Sequence, residues 1–461
     1  SIRSLYPKLE IEGGAGVRPH KNSINNYYYP ENPEAGVDLF LEKLAQETEK
    51  EHEDILEQAD ETDAVFGELY SWYLRNPEYR NRVQKLVQSA FAGKPEDIIS
   101  QSVAKALYGE VSPYSATRLE RFAACAFAHF LQYGMKLTER VEYEFKPMDM
   151  GNVMHEALES FAEEVRKRGM KWTELTEQER NEIADRCLDN IVADYGNTVL
   201  KSSARNEYMI ERTRRILRRT VWALQKQLEQ GEFQPEGFEV TFGGGRIDRV
   251  DIMEDQNKVY VKVIDYKTGN TSFDLVYLYH GLQLQLMIYL DGALRVEQKK
   301  YPDKEIIPAG VFYYNIKDPM IQEKIDADVE AVSAGLMKEL KMNGLVQADP
   351  ELVYRMDSSL GSIPVAFNKD GSFRKNSSVA DRTQFAVLGR YVRTKIEKIR
   401  SSILEGDAEV SPYELGKKNA CTYCPYMTVC GFDRRLSGYE FRRLKNFSDE
   451  ELWKAFDREA E

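Results

Sequence analysis

Lys258 to Gly269 read KVYVKVIDYKTG. Alternate side chains of a β-strand share one face, so Val259, Val261, Val263, Asp265 and Lys267 point the same way. An apolar row therefore ends in a carboxylate and an ammonium, just before Thr268 and Gly269 turn the chain. Charges on such a face are costly unless they are paired or bind metal, so the strand end reads as a site. The plain alternative is an amphipathic edge strand with a surface Asp and Lys, and the triplet Asp-x-Lys alone does not separate the two.

The segments upstream weigh the balance. Phe238 to Phe242 and Arg246 to Ile252 read as strands joined by Gly243, Gly244 and Gly245, with Asp248 on the face of Val250 and Ile252. Two carboxylates from neighbouring strands offer hard oxygen ligands to a magnesium-type ion, and a nearby lysine can stabilise charge developing on a phosphate. Asp248, a hairpin, then Asp265-x-Lys267 resembles the PD-(D/E)xK nuclease signature. That resemblance also implies that the backbone carbonyl of Tyr266 touches the metal.

With 461 residues, 42% hydrophobic and 30% charged, the chain is globular and long enough for two or three domains or one elaborate one. It shows no apolar run near the ~18 residues of a membrane helix and no secretory signal, which predicts a cytoplasmic protein with no membrane partner. A net charge of −13 gives no general support for nucleic-acid binding, which needs local positive charge. Basic residues do cluster at Arg212, Arg214, Arg215, Arg218 and Arg219, from Arg390 to Arg400, and at Arg434, Arg435, Arg442, Arg443 and Lys445. Solvated helix faces are the commoner reading of any one such cluster. A Gly-x-x-x-x-Gly-Lys-Ser/Thr phosphate loop is missing, the nearest stretch being Gly13 to Gly16, which argues against an ATP motor in this chain. Beginning at Ser1, the sequence reads as a processed chain or a piece of a longer one.

Residues 1–104 read as a mostly helical N-terminal region: 1–32 are loop-rich, and Glu34–Asp60, Asp63–Leu74 and Glu78–Phe91 have helical apolar spacing, for example Val37, Leu41 and Leu44. Residues 105–461 carry the chemistry. Ser115 to Phe130 reads as a short helix start carrying Cys125, followed by an extended segment to Phe145. In MGNVMHEALESFAEEV (150–165), Met154, Leu158, Phe161 and Val165 form one helical stripe, beside which His155 and Glu159 can face one cavity. An imidazole with two carboxylates suits a catalytic divalent metal that keeps open positions for water. Leu275 to Leu294 reads as one helix with Gln285 and Tyr289 four apart, Ala309 to Ile316 as a strand extending the sheet, and Asp326–Lys341 and Asp381–Glu405 as helices.

Five cysteines occur, of which Cys421, Cys424 and Cys430 are spaced C-x2-C-x5-C. Three thiolates are one short of a tetrahedral zinc or a cubane cluster, and Cys125 is the obvious fourth; spacing leaves both open, with zinc slightly ahead. Cys187, in a helical run, reads as an ordinary free cysteine, and without an export signal no disulfide is expected.

The pieces RLERFAACAFAHF, GNVMHEALE, GGRIDRVD, VIDYKTG, LQLQLMIYL and ACTYCPYMTVCGFD stand in an order that resembles the RecB-type nuclease domain of the AddB family, the second subunits of AddAB-type bacterial helicase–nucleases. The resemblance covers roughly residues 105–445. It implies an α/β fold with a restriction-endonuclease-like core, a central mixed sheet flanked by helices. It further implies that His155, Asp248, Asp265 and the Tyr266 carbonyl hold Mg²⁺ or Mn²⁺, that Lys267 activates or orients the attacking water, and that Gln285 and Tyr289 line the DNA path. Cys125, Cys421, Cys424 and Cys430 match the family's four ligands to a [4Fe-4S] cluster, which favours iron over zinc and would staple the two ends of the domain. Ala126 departs from the proline usual after the first cysteine. The implied activity is metal-dependent DNA cleavage as an exonuclease in double-strand-break processing and recombination, with DNA and an AddA-type helicase–nuclease subunit as partners. The alternatives are a Cas4-like or Dna2-like enzyme with the same acids and cysteines, or a module that binds DNA or a helicase without cutting.

Overall fold

The computed structural model describes Val37, Phe40, Leu41, Leu44 and residues 61–90, 98–109, 115–138, 147–194, 203–243, 245–321, 328–436 and 438–460. The chain divides into two compact units, one of Ser1–Asp97 with Gly431–Glu440, the other of Ile98–Cys430 with Phe441–Glu461. In the first, helices α1 (Glu61–Arg75) and α2 (Pro77–Ala90) bury Leu69, Trp72, Tyr73 and Val83 together with Val37, Phe40 and Leu44. Leu41, expected in that stripe, is 38% exposed; the buried residues follow i, i+3, i+7 spacing from Val37, which puts Phe40 inward instead. The loop-rich reading of 1–32 and the rest of the 34–60 helix lie outside the described residues.

The second unit begins with α3 (Gln101–Tyr108), α4 (Ala116–Ala124) and the short α5 (Ala126–His129), followed by α6 (Pro147–Lys167), α7 (Glu177–Asp194) and α8 (Ala204–Glu229). Strands β1 (Gln234–Phe242), β2 (Gly245–Asp255) and β3 (Lys258–Lys267) come next, then α9 (Leu275–Tyr279), α10 (Gln285–Lys300) and β4 (Glu305–Asn315). Helix α11 (Val329–Glu339), β5 (Asn343–Gln347), α12 (Pro350–Met356), β6 (Val379–Ala380) and α13 (Arg382–Glu405) complete the core. The C-terminal part holds β7 (Tyr413–Leu415), β8 (Lys418–Asn419), α14 (Met427–Cys430), β9 (Arg442–Arg443) and α15 (Asp449–Ala460).

Strands β1 to β6 form one sheet in sequence order, mixed because β3 pairs with β4 and β5 with β6 in parallel while the other pairs are antiparallel. Strand β3 is therefore flanked on both sides, and it is buried from Val259 to Tyr266. That removes the edge-strand reading. Its two faces feed two cores: Tyr260, Ile264 and Tyr266 pack with Leu158 and Phe161 of α6, Leu188 of α7 and Leu217 of α8. Val259, Val261 and Val263 pack with Leu119 of α4, Leu286 of α10, Leu388 of α13 and Phe456 of α15. Each of these valines contributes about 1.5–3 kcal/mol by burial, so the register that aims Asp265 and Lys267 at the same side is strongly specified.

On the opposite face of the sheet three charges are buried together. Asp251 accepts from Arg249 Nε at 2.6 Å and Nη2 at 2.9 Å, and lies 3.0 Å from Lys262 Nζ. Arg249 also lies over the rings of Trp172 and Phe238, and Lys262 over Phe233.

Three expectations change in detail. The single helix read over 275–294 is two, because Gly281 (φ 78°) ends α9 and α10 starts afresh at Gln285. The extended segment after Phe130 begins as a π-helical turn, Phe130–Gly134, with Leu131 and Gly134 buried and Gly134 close against the Tyr108 ring; residues 139–146 lie outside the described ones. The helix expected from Asp326 starts at Val329, where the Asp328 carboxylate caps it. None of the described helices is long and apolar enough to cross a membrane.

Candidate metal-dependent active site

The pairing of Arg249 with Ile264 sets Asp248 and Asp265 side by side on one face at the end of the hairpin. Asp265 is 1% exposed, and its Oδ2 lies 2.5 Å from Lys267 Nζ. Asp248 Oδ2 accepts the Tyr266 backbone N–H at 2.7 Å, which locks the two strand ends together. Helix α6 brings His155 to the same place: Nε2 is 3.1 Å from the Tyr266 carbonyl oxygen, and Nδ1 is 3.3 Å from Asp248 Oδ2. One turn earlier on α6, Gly151 lies beside Thr268, where a side chain would stand in ordinary contact, 3.4 Å from the hydroxyl.

A further carboxylate completes the cluster. Glu239, on β1, has Oε1 3.8 Å from His155 Nδ1, and it also pairs with Arg246. His155, Glu239 and Asp248 offer ligand atoms all within 4.8 Å of one another. Sequence reading singled out Glu159 beside His155 instead. Glu159 stays outside this triplet; burial and the negative charge of Glu239 raise its carboxyl above the usual range. The signal for Glu239 lies in the hairpin count: Phe238 faces Arg249 and Val240 faces Ile247, so Glu239 stands across from Asp248. Its φ of 49° breaks the simple alternation on which strand-face reading depends.

The electrostatics are those of a cation site. Burial alone would lower the basicity of His155, but hydrogen bonds with Asp248 and Glu239 and the charges of Asp248 and Asp265 overcome it and push its pKa up to about 10. Burial and then the Asp248 charge raise Asp265, with Lys267 opposing. An imidazole nitrogen, the carboxylates and a backbone carbonyl are a donor set that fits a divalent metal with positions left for water and substrate.

Gln285 and Tyr289 join the same site. Lys267 Nζ donates to Gln285 Oε1 at 2.7 Å, and Gln285 Nε2 donates to the Tyr289 hydroxyl at 2.9 Å. The lysine ammonium also lies 5.4 Å from the Tyr313 ring centre. Gln285 and Asp265 thus hold the lysine between them.

The cysteines gather elsewhere in the unit. Cys125 sits buried at the end of α4, where backbone N–H groups of Ala128, Ser411 and Phe127 point at its sulfur and oppose the rise in pKa that burial causes. The Cys421 thiol is pushed up to about 12 by burial and by Cys125, Cys424 and Cys430, whose charges it feels. Tyr426 donates to the Leu137 carbonyl at 2.9 Å, and Phe127 N–H to Glu409 O at 2.9 Å, so protein contacts already tie residues 125–137 to 409–426. Cys187 is buried between α6 and α7, its thiol bonded to Ser160. Ala126 occupies the first position of α5, after extended backbone at Cys125, which is the place where a proline is tolerated.

Most basic clusters have internal work. Arg214 and Arg218 pair with Asp185, Arg215 with Asp318, Arg393 with Asp291, Arg443 with Glu414 and Lys445 with Glu451.

Residues 113–431 match the PD-(D/E)XK nuclease superfamily. The chain belongs to that superfamily. Its mixed six-stranded sheet flanked by helices is that of the superfamily, and divalent metal use follows from that membership. It is 41% identical over 421 residues to an ATP-dependent helicase/deoxyribonuclease subunit of Lachnoclostridium phytofermentans, covering 86% of this chain and 36% of that one. Identity is 34% over 425 residues with the subunit of the same name in Thermoanaerobacter pseudethanolicus (87% and 37%) and 33% over 487 with that of Clostridium novyi (100% and 42%). This PD-(D/E)XK chain spans 36–42% of the length of these curated relatives.

Proposed function

We propose that this chain is the nuclease portion of an AddB-type helicase–nuclease subunit and hydrolyses DNA phosphodiesters with Mg²⁺ or Mn²⁺. The carrying observation is the convergence of Asp248, Asp265 and Lys267 with His155 and the Tyr266 carbonyl, seated in a chain of this superfamily. His155, Asp248, Asp265 and the Tyr266 carbonyl hold the ion in this reading, with Glu239 as a further ligand or a holder of His155. The ion would supply Lewis-acid polarisation of the phosphate and a more acidic attacking water. Lys267 orients that water and meets the negative charge that builds on the phosphate, while Gln285 and Tyr289 keep the ammonium in place and line the DNA path. The relatives' names, helicase/deoxyribonuclease subunits B, support a DNA substrate and a partner subunit; the sequence resemblance adds that the partner is of AddA type and that the setting is cytoplasmic end processing for recombination. The sequence resemblance favours a [4Fe-4S] cluster over zinc on Cys125, Cys421, Cys424 and Cys430, and the charges of the other three cysteines that reach Cys421 support one shared site. In this reading residues 1–104 are a helical tail of the helicase-like part and 105–461 the nuclease domain; the compact unit Ser1–Asp97 supports the division, though that unit also takes in Gly431–Glu440.

The test is cleavage of end-labelled single-stranded DNA by anaerobically purified protein across a Mg²⁺ titration. Cutting should require the metal, and His155→Ala should raise the half-saturating Mg²⁺ concentration by about 10-fold or more, in line with the loss of one metal-positioning group. An unchanged titration would make His155 a packing residue. Cys424→Ala should bleach the visible absorbance and lower the melting temperature of the domain by several degrees, a loss of about 2 kcal/mol or more; bleaching at constant melting temperature would rule out the staple.

A further inference from the structure

Helix α10 carries Gln285 as its first residue, and Leu284, which precedes it, offers no side chain to cap the helix. The free N–H groups of that turn are met from far away in sequence. Glu120 Oε1 on α4 accepts from Leu284 N–H at 2.7 Å and from Gln285 N–H at 2.9 Å. A buried acid is expensive, and burial pushes its carboxyl up to about 7, opposed by those two N–H groups and by the charge of Lys267. Leu284 itself has helical backbone and fills the core, so the acceptor for these N–H groups comes from another element.

Both ends of this contact lead somewhere. Beyond Gln285 the chain of bonds runs through Lys267 Nζ (2.7 Å) to Asp265 (2.5 Å). On the other side, α4 ends at Cys125, and it is held firmly there. Leu119, Phe122 and Ala123 are buried, Arg442 donates to the Ala123 carbonyl, and Gly281 passes so near that a side chain would stand 3.2 Å from Ala123 Cβ.

We propose that Glu120 is a positioning residue for the nuclease reaction: it fixes the start of α10 so that Gln285 holds Lys267 against Asp265, and it ties the cysteine end of α4 to the catalytic lysine. This inference rests on the nuclease reading above. A shift of the lysine by an ångström or so is enough to slow chemistry substantially.

The experiment uses the whole chain, end-labelled single-stranded DNA and saturating Mg²⁺, with amide hydrogen exchange read in parallel. Glu120→Ala should lower kcat about 10-fold with KM unchanged. Glu120→Gln keeps an oxygen that can accept both N–H groups and should stay within about 2-fold of wild type. Because Glu120 acts through Gln285, the double variant Glu120→Ala/Gln285→Ala should be no slower than Gln285→Ala alone. The amides of Leu284 and Gln285 should exchange faster in Glu120→Ala but not in Glu120→Gln. Should Glu120→Ala fail to fold, Glu120→Asp carries the same test, since it withdraws the carboxylate by one methylene while keeping its charge. Full-speed cutting by Glu120→Ala or Glu120→Asp, or losses that multiply in the double variant, would overturn the positioning role alone. A folded wild type that does not cut with Mg²⁺ would overturn the nuclease reading and this role with it, while exchange at Leu284 and Gln285 would still report whether Glu120 is the cap.

Discussion

Lys267→Ala is expected to cut end-labelled DNA about 10²–10³ times more slowly than wild type at saturating Mg²⁺, the range lost when one preorganised charge partner of a transition state is removed. The ammonium sits at the meeting point of Asp265, Gln285 and the Tyr313 ring, and it is only partly exposed. Such a setting leaves few positions open to it, and little reorganisation is needed as charge builds on a phosphate. Folding should survive, because the apolar part of β3 remains and the sheet pairing is backbone. Equal loss of kcat and kcat/KM would show that the lysine acts in the transition state, whereas a change in KM alone would reduce it to a substrate contact. Undiminished cutting would remove Lys267 from the mechanism.

The second large effect concerns stability. Asp251→Asn should destabilise the domain by about 3–5 kcal/mol, the cost of leaving buried charges without their counter-charge. Asp251 is fully buried and meets both Arg249 and Lys262, which are themselves buried. Burial raises the Asp251 carboxyl, and Arg249 followed by Lys262 outweigh it, so that its net shift is downward. A group held below its unfolded value stabilises the fold above that unfolded value, and the contribution fades as the pH falls through the folded one. The asparagine should therefore cost most near neutral pH and least in acid, as read by denaturant midpoints over a pH series. A midpoint that moves by less than about 1 kcal/mol at pH 7 would mean that water or rearrangement serves Arg249 and Lys262. Replacing all three by apolar residues of similar volume should be close to neutral by the same reasoning.

Much of the site was legible because its spacing is local. The period of two in KVYVKVIDYKTG aims Asp265 and Lys267 to one side, and the β2–β3 hairpin, which turns between Asp255 and Lys258, brings Asp248 beside them; both are properties of short stretches that the sheet preserves. His155 followed from a helical stripe in the same manner. Glu239 and Glu120 escaped for different reasons. Glu239 has a backbone conformation that departs from strand alternation. Glu120 works through a contact between helices some 165 residues apart, and no local pattern encodes that partner. The break at Gly281 belongs with it, since an apolar run from Leu275 to Leu294 reads as one helix until the chain must end one turn beside Ala123 and begin another beside Glu120.

The position of the cysteines has a consequence for how the protein is made. A [4Fe-4S] centre on the proposed four sulfurs waits for Cys430, which leaves the ribosome roughly 300 residues after Cys125, or about 15–60 s later at ordinary synthesis rates. Every strand of the six-stranded sheet and every residue of the acid and lysine cluster is synthesised within that interval. Cluster assembly at the proposed site would then act on a core whose strands are already made, and a chain interrupted before position 430 would lack one of its four proposed ligands.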